Sequence, residues 1–225
     1  MKKKVLSIIV GISVIFGFAL GAGAAPVLQK ITAQLNWAIK FNIEGVSWIP
    51  KDENGNSLAP ITYNNRTYLP VRAVSEALGT SVNWDQKSQT IHLGESTNEV
   101  SITSVEKKLT SRVFQTTDKK YTVQNGKDYK SGFVFEDLNS VNTMMDLIPN
   151  GKYQKLNLSF VNLDMRKDIR IQVKSGEIVL KDITISAGQP IGDVDLNVGG
   201  HKKITISATS TMLGEETLFV TGYFK

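Results

Sequence analysis

The chain contains no cysteine and only two histidines among its 225 residues. Without cysteine there is no disulfide framework, no lipid-modified cysteine and no thiolate metal site. Zinc and copper sites normally take several His or Cys ligands, and a Ser-His-Asp arrangement needs a histidine in a cleft. The two separated residues, His92 and His201, therefore argue against both kinds of site. We expect no cofactor, no bound transition metal and no catalytic residues.

A large excess of charge of one sign is also missing. The net charge is +5, but Lys2, Lys3 and Lys4 supply three of the 26 basic residues, and the remaining 23 face 21 acidic residues, which leaves +2. This balance gives no electrostatic footprint for nucleic acid. Tryptophan is absent after Trp84, which argues against an indole-lined sugar platform in the C-terminal half.

Residues 1–25 have the organisation of an export signal. Three lysines precede the apolar run Val5–Leu20, and Ala22-Gly23-Ala24 forms a small-residue cleavage site. An uncleaved anchor is the alternative, but the run is short for a bilayer span of about 20 residues and no cluster of charges follows it. We expect cleavage and an extracellular or cell-wall associated protein, with membrane contact only through this segment if it is retained.

The segment Leu35–Ile43 predicts a strand, because apolar and polar residues alternate along its whole length. Trp37 lies on the apolar phase of this strand, and Trp84 occupies the apolar phase of a later one. We therefore expect both indoles to be buried.

A short helix is predicted between Pro70 and Gly79. Proline suits the first helical position because its missing N–H would be unpaired there, and glycine ends a helix in the left-handed conformation without steric cost. An apolar stripe at helical spacing should cover one face of a small antiparallel sheet; it consists of Val71, Val74 and Leu78. The Asn64-Asn65 turn precedes the helix, and a hairpin of two strands should follow it.

These residues together resemble a known family. The resemblance lies in the runs Arg66-Thr67-Tyr68-Leu69-Pro70-Val71-Arg72-Ala73, Glu76-Ala77-Leu78-Gly79, Val82-Asn83-Trp84-Asp85 and Thr90-Ile91. They are similar to the stalk domain named after the N-terminal domain of copper amine oxidases. The resemblance implies a small α+β domain over residues 33–94, in a secreted envelope protein of Gram-positive-type bacteria. It implies no oxidase activity, because the name refers to an accessory domain.

The polar segment 95–102 is interpreted as a linker to a second domain, residues 103–225, after a signal peptide at 1–25. This second half has short alternating runs separated by turn signals such as Asn125-Gly126, and it contains no long helical stripe. The pattern favours an all-β sandwich of the jelly-roll type. Only Met144–Leu147 is interpreted as a single helical turn.

The second half resembles the sandwich family abbreviated NPCBM, a carbohydrate-binding module. The similar segments are Asn125-Gly126-Lys127, Tyr129–Phe133, Gly151–Leu156, Ile169–Gly176 and Ile204-Thr205-Ile206. The resemblance implies a jelly roll that binds glycan on a loop edge or a concave face. Three tyrosines offer a stacking face and a hydroxyl, and they are our candidate ligand-binding residues: Tyr121, Tyr129 and Tyr153. Burial within the strands is the alternative role for each.

Two further chemistries have weaker support. Glycoside hydrolysis needs two carboxylates opposed across a cleft, whereas the acidic pairs of this chain are neighbours in sequence only: Asp164 with Asp168, and Glu136 with Asp137. Calcium would need a spaced set of oxygen ligands. The acids to consider are Asp193, Asp195, Glu215 and Glu216, which form no such pattern.

The sequence thus predicts a secreted, non-catalytic envelope protein whose C-terminal sandwich binds a cell-wall or extracellular glycan. The alternative is a structural or protein–protein interaction module of the envelope, with an envelope protein as its partner and no sugar ligand.

Overall fold

The computed structural model describes residues 28–138, 143–164, 166–189, 191–210 and 216–225. The predicted export signal lies outside these ranges. Within them, no helix is long and apolar enough to cross a bilayer. The chain divides into two units, one with residues up to Asn36 and Ile61–Tyr68, the other with Trp37–Pro60 and Leu69–Lys225.

The N-terminal part is built from short antiparallel strands. These are β1 (Gln34–Leu35), β2 (Phe41–Ile43), β3 (Val46–Trp48), β4 (Ile61–Tyr63) and β5 (Arg66–Tyr68). In the first unit, β1, β4 and β5 form a three-stranded sheet; in the second, β2 and β3 form a hairpin. Asn64 and Asn65 both have positive φ angles, as the favoured two-residue hairpin turn requires. The predicted turn is confirmed.

The single strand predicted for Leu35–Ile43 is wrong. The chain leaves β1 after Leu35, turns at Trp37 and Ala38, and re-enters a strand only at Phe41. The two strands pair with different partners. Alternation of apolar and polar residues indicates only which side chains share a face, and it cannot show that the chain changes from one partner strand to another. Burial of the two tryptophans is wrong as well, since Trp37 is 66% exposed and Trp84 49% exposed.

The predicted helix is present as α1 (Val71–Ala77), but it buries a different face. Pro70 is the N-cap residue and Gly79 has φ +64°, so the helix starts one residue later than predicted and ends as predicted. Ala73 and Ser75 are buried, whereas Leu78 of the predicted stripe is 61% exposed. The prediction that the apolar stripe covers a sheet is therefore wrong.

The C-terminal end of α1 makes a close backbone contact with a turn of the sandwich. A Cβ added to Gly199 would lie 2.0 Å from the Gly79 carbonyl oxygen, and one added to Gly200 would lie 2.9 Å from the Glu76 carbonyl oxygen. Lys202 Nζ and Glu76 Oε2 are 3.3 Å apart beside this contact. The end of α1 thus packs directly on the Gly199-Gly200 turn.

The side-chain amide of Gln154 forms hydrogen bonds beside the contact between α1 and the Gly199-Gly200 turn. Its Nε2 donates to the carbonyl oxygen of Gly79 (3.0 Å) and to Asn197 Oδ1 (2.7 Å), and its Oε1 accepts from the backbone N–H of Ser81 (2.9 Å). The amide uses both its donor and its acceptor groups here. The chain after α1 continues into the hairpin of β6 (Val82–Asp85) and β7 (Thr90–Leu93).

The remaining elements form the sandwich. In chain order they are β8 (Val100–Ser101), a 3-10 helix (Ile102–Ser104), β9 (Glu106–Leu109), β10 (Val113–Thr116), α2 (Lys119–Thr122), β11 (Val123–Gln124), β12 (Lys127–Asp128), β13 (Gly132–Phe135), β14 (Met144–Ile148), β15 (Lys155–Asn162), β16 (Ile169–Ser175), β17 (Ile178–Ile185), β18 (Ile191–Asn197), β19 (Ile204–Ser210) and β20 (Leu218–Phe224).

Two antiparallel sheets give the sandwich its topology. The first has the order β10-β13-β20-β15-β18, with β8 also paired to β20; the second has the order β17-β16-β19-β14-β9. Successive strands from β13 to β20 are distributed between the sheets as in two Greek keys, which is the jelly-roll arrangement. The predicted fold class, a small α+β part followed by an all-β jelly roll, is confirmed.

The core lies between the two sheets. It contains inward side chains such as Leu156, Leu158 and Phe160 of β15 and Ile204 and Ile206 of β19, all fully buried. The predicted helical turn at Met144–Leu147 is wrong, because this segment is strand β14. Met145 and Leu147 are buried while Met144 and Asp146 are only half-buried, a period of two that is typical of a strand.

Part of the segment interpreted as a linker pairs with the sandwich. Ser101 lies opposite Tyr223 and Val100 opposite Phe224, and Ile102 is fully buried in the core. The division into domains at 95–102 stays a prediction.

The outward face of the second sheet carries an ion-pair cluster. Arg170 contacts Asp182 through Nε (3.0 Å) and Nη2 (2.6 Å), and Gln172 Nε2 donates to the same carboxylate at 2.7 Å. These hydrogen bonds, that from Arg170 foremost, lower the pKa of Asp182 to about 2.

The Gly199 contact predicts a specific stability loss. Gly199→Ala should lower the free energy of unfolding by roughly 2–3 kcal/mol, because the new methyl group overlaps the Gly79 carbonyl. Gly176→Ala is the control: its φ is positive but no atom lies within 4 Å of the added Cβ, so it should cost only about 1 kcal/mol of backbone strain. Urea denaturation measures both variants, and equal losses would contradict the close packing.

The Asp182 cluster predicts a titration. Arg170→Gln should raise the Asp182 pKa from about 2 towards its ordinary value. Arg170→Lys keeps the positive charge but loses the paired guanidinium hydrogen bonds, so it should raise the pKa less. Because the folded-state pKa is lowered, the stabilisation from Asp182 is present above its unfolded-state pKa and disappears as the pH falls towards 2. Carbon-detected NMR titration of the carboxyl group reads the pKa directly. An unchanged midpoint in Arg170→Gln would refute the assignment.

Candidate functional site

The outward face of the first sheet of the sandwich carries a concave surface. Two adjoining depressions of about 310 and 420 Å³ share Asn157 and Tyr223 in their walls. Both volumes fall within the range of ordinary ligand pockets, about 300–1,000 Å³. We call the pair the Tyr223 groove. The first depression is lined by Glu95, Lys155, Asn157, Asp195, Leu196, Asn197, Tyr223 and Lys225. The second is lined by Glu99, Ser101, Lys127, Tyr129, Lys130, Ser131, Asn157, Ser159, Thr221, Gly222 and Tyr223.

Strand alternation places these side chains. In β15, Leu156, Leu158 and Phe160 enter the core, so Asn157 and Ser159 face outward. In β20, Val220 and Phe224 enter the core, so Thr221 and Tyr223 face outward on the neighbouring strand. Asn157 lies directly opposite Tyr223 in the ladder, and Ser159 opposite Thr221. The floor of the groove is therefore a ladder of polar pairs.

Hydrogen bonds hold the polar side chains of this floor in position. Asn157 Nδ2 donates to Asp195 Oδ1 at 2.8 Å, and Ser159 Oγ donates to Asp193 Oδ1 at 2.6 Å. Each bond joins β15 to β18 across the sheet. A carboxylate has about four acceptor positions and an amide has further donor and acceptor capacity, so Asn157 and Asp195 retain groups that can bind a hydroxyl.

Two lysines at the edge of the groove are paired with acids from the 95–99 segment. Lys155 Nζ lies 2.8 Å from Glu95 Oε2, and Lys225 Nζ lies 3.2 Å from Glu99 Oε1. The hydrogen bond to Glu99 raises the pKa of Lys225. The Lys225 ammonium is also 5.3 Å from the ring centroid of Tyr223. The ring thus has charged and amide neighbours while remaining half-buried.

Of the three predicted tyrosines, Tyr129 lines the Tyr223 groove, whereas Tyr121 is not among its lining residues. Both pack on a small apolar cluster of Val134, Val161 and Phe219 on the outward face of the first sheet. Their rings also carry cations, with Lys127 Nζ 4.4 Å from the Tyr129 centroid and Lys120 Nζ 4.9 Å from the Tyr121 centroid. Ligand binding by either ring stays a prediction.

Tyr153 lies elsewhere. Its ring stacks on Phe224 with centroids 4.9 Å apart, and burial raises the pKa of its hydroxyl. It lines a separate surface depression together with His92 and Lys152. The three predicted tyrosines therefore do not form one site.

Tyr223, Asn157 and Asp195 are not among the ligand contacts predicted from the sequence. Asp195 was considered only for calcium. One signal was available: Thr221 and Tyr223 share a phase in the terminal strand, as Asn157 and Ser159 do in β15. Period-two alternation predicts that each pair faces outward. Alternation could not show that β15 and β20 are neighbours.

The acidic pairs considered for hydrolysis have structural contacts. Asp164 Oδ2 accepts from the backbone N–H of Thr217 at 2.8 Å, and Asp168 Oδ1 accepts from that of Ala187 at 2.7 Å. Asp137 is ion-paired with Arg112.

The acids considered for calcium have different surroundings. Asp193 and Asp195 belong to the groove face, whereas Glu216 is buried and 2.6 Å from Lys167 Nζ. Burial acts to raise the Glu216 pKa, but the hydrogen bond from Lys167 and further contacts leave it lowered. Glu215 is outside the described residues. In the ranges that the structure describes, no three His, Asp or Glu side chains are grouped to hold a metal ion.

Comparison with known proteins supports the sequence resemblance in the N-terminal half. Residues 52–134 match the family model described as the copper amine oxidase N-terminal domain. The suspected stalk-domain resemblance is confirmed. The match begins later than the predicted span and extends through α1 and the β6–β7 hairpin as far as β13. No curated protein matches the chain.

Solved structures with a similar fold include carbohydrate-binding modules. A CBM51 from Clostridium perfringens GH95, in complex with methyl-galactose, has a TM-score of 0.44 and 11% identity, covering 57% of this chain and 100% of that chain. A CBM51-2 and INT pair from Clostridium perfringens ZmpB, in complex with GlcNAc, has a TM-score of 0.46 and 8% identity, covering 74% and 43%. TmCBM61, in complex with β-1,4-galactotriose, has a TM-score of 0.34 and 10% identity, covering 55% and 89%. All three scores are below 0.5, so the jelly-roll assignment depends on this chain's own strand order.

Proposed function

We propose that this chain is a secreted, non-catalytic protein of the cell envelope that binds a cell-wall or extracellular glycan in the Tyr223 groove. The observation that carries the proposal is the position of the Tyr223 ring between two depressions, with an amide, a carboxylate and hydroxyls around it. An amphipathic aromatic ring covers the apolar face of a sugar, and the polar neighbours bind its hydroxyl groups.

The groove has the mixed character that sugar recognition needs. Asn157 and Asp195 are held by a hydrogen bond at 2.8 Å, so little side-chain entropy remains to be lost when a ligand binds. Lys155 and Glu95 neutralise each other at that end. A neutral sugar ring can lie there while its hydroxyl groups donate to the Asp195 carboxylate.

A non-catalytic role agrees with the carboxylates. Catalysis of glycoside hydrolysis would need an acid with a raised pKa facing a second carboxylate. In the groove, Asp195 accepts a hydrogen bond from Asn157, and Glu95 and Glu99 are paired with lysines. Asp164 and Asp168 accept hydrogen bonds from backbone N–H groups, and Asp137 is ion-paired with Arg112. The predicted export signal and the resemblance to a secreted stalk domain support a place outside the cytoplasm.

Contact with another envelope protein is the second candidate function. One observation favours it: Trp37, Val46 and Ile49 are each at least 60% exposed in the segment around the Phe41–Trp48 ring pair. Clusters of exposed apolar side chains are typical of interaction sites. Photo-crosslinking from position 46 in the intact envelope should then exceed that from exposed Lys87, and equal yields would dismiss this candidate.

The glycan proposal predicts a clear effect of one side chain. Tyr223→Ala should weaken binding by at least about tenfold to any polysaccharide that retards the wild-type protein, since stacking and apolar contact are lost together. Tyr153→Phe, which keeps the ring stacked on Phe224, is the control and should bind as the wild type does. Affinity electrophoresis in a panel of soluble cell-wall and extracellular polysaccharides measures both. Retention of wild type and Tyr223→Ala to the same extent, or retention of neither on any polysaccharide, would contradict the proposal.

A further inference from the structure

The two depressions of the Tyr223 groove differ in charge. In the first, two lysines face two acids, and Lys155 is paired with Glu95. In the second, the lysines are Lys127 and Lys130 and the acid is Glu99. The second depression is therefore the more positive of the two.

Ion pairs neutralise two of the three lysines near the second depression. Lys130 Nζ lies 2.8 Å from Asp128 Oδ2, and Lys225 Nζ lies 3.2 Å from Glu99 Oε1. Lys127 has no ion pair with any acid among the residues that the structure describes. Its ammonium is instead held 4.4 Å from the ring centroid of Tyr129.

A cation placed over an aromatic face keeps most of its charge available to a ligand, because the ring offers only a weak quadrupole. Three hydroxyl-bearing residues line the same depression: Ser101, Ser131 and Thr221. Thr221 Oγ1 donates its proton to the Ser131 carbonyl oxygen, whereas the Ser101 and Ser131 hydroxyls share Thr103 Oγ1 as their partner, which leaves one hydroxyl proton of this pair for an anion. One ammonium and one hydroxyl donor on a concave surface suit an acidic substituent on a sugar.

At the other end of the groove, in the first depression, the Asp195 carboxylate would repel an acidic substituent. Its carboxylate accepts a hydrogen bond from Asn157 but forms no ion pair within the described ranges. An anionic substituent there would meet like charge, whereas a sugar hydroxyl would donate to the carboxylate. The groove therefore favours one orientation of an acidic glycan.

We propose that the Tyr223 groove selects an anionic glycan, with a neutral sugar ring on Tyr223 beside Asn157 and Asp195 and the acidic group at Lys127. This inference rests on the proposed glycan binding and adds the class of ligand to it. A lysine ammonium acts as a point charge that takes either a carboxylate or a phosphate. A uronic acid polymer and a sugar-substituted glycerol phosphate polymer are the two sources.

The test uses the full chain after export and matched ligands. Uronate oligosaccharides are compared with the same oligosaccharides after their carboxyl groups have been reduced to alcohols, and a sugar-substituted glycerol phosphate polymer is compared with its sugar after phosphate removal. Isothermal titration at low salt should give an affinity about tenfold higher for the acidic member of at least one pair. That preference should shrink as the salt concentration rises.

Variants test whether the Lys127 ammonium binds the acidic group. Lys127→Gln should lower the affinity for the preferred acidic ligand about tenfold and leave the affinity for its neutral counterpart unchanged. Lys120→Gln is the control, because its ammonium lies over the Tyr121 ring but does not line the groove; it should change either affinity by less than about twofold. Equal binding of acidic and neutral members, or equal losses in the two variants, would overturn the charge selection and leave glycan binding intact. Absence of binding to every ligand in both forms would instead overturn the proposed function itself.

Discussion

The burial of alternate residues on β15 and β20 is the constraint on which the candidate site depends. Leu156, Leu158 and Phe160 enter the core from one strand, and Val220 and Phe224 enter it from the other. A shift of one residue in either strand would exchange the buried and exposed sets. The packing of the core therefore fixes which polar side chains stand opposite each other on the outer surface, and the groove follows from that register.

A second constraint joins the segment with α1 to the sandwich turns. The Gly199-Gly200 turn permits a backbone approach that any side chain would block. The Gln154 amide bonds to Gly79 and Ser81 on one side and to Asn197 on the other. The acids Glu95 and Glu99 hold the following segment against Lys155 and Lys225 at the edge of the groove. The segment interpreted as a linker thus supplies part of the wall of the candidate site.

Local chemistry could be predicted from the sequence where a few neighbouring residues determine it. The Asn64-Asn65 turn, the end of α1 at Gly79 and most strands of the sandwich are of this kind. Prediction failed where a residue distant in sequence decides the structure. Leu35–Ile43 divides between two partner strands, and the C-terminal end of α1 packs on Gly199 and Gly200. The Tyr223 groove belongs to the same class. Its facing residues Asn157 and Tyr223 come from strands that are far apart in the sequence, and no local pattern shows that they meet.

The central claim is that the outward face of the first sheet binds glycan, and backbone NMR shift mapping tests it most directly. On titration with a retained oligosaccharide, the account predicts that the amides with the largest shifts belong to Ser101, Asn157, Ser159, Thr221 and Tyr223. Shifts centred on Arg170, Gln172 and Asp182 of the opposite face, with the groove amides unmoved, would contradict it.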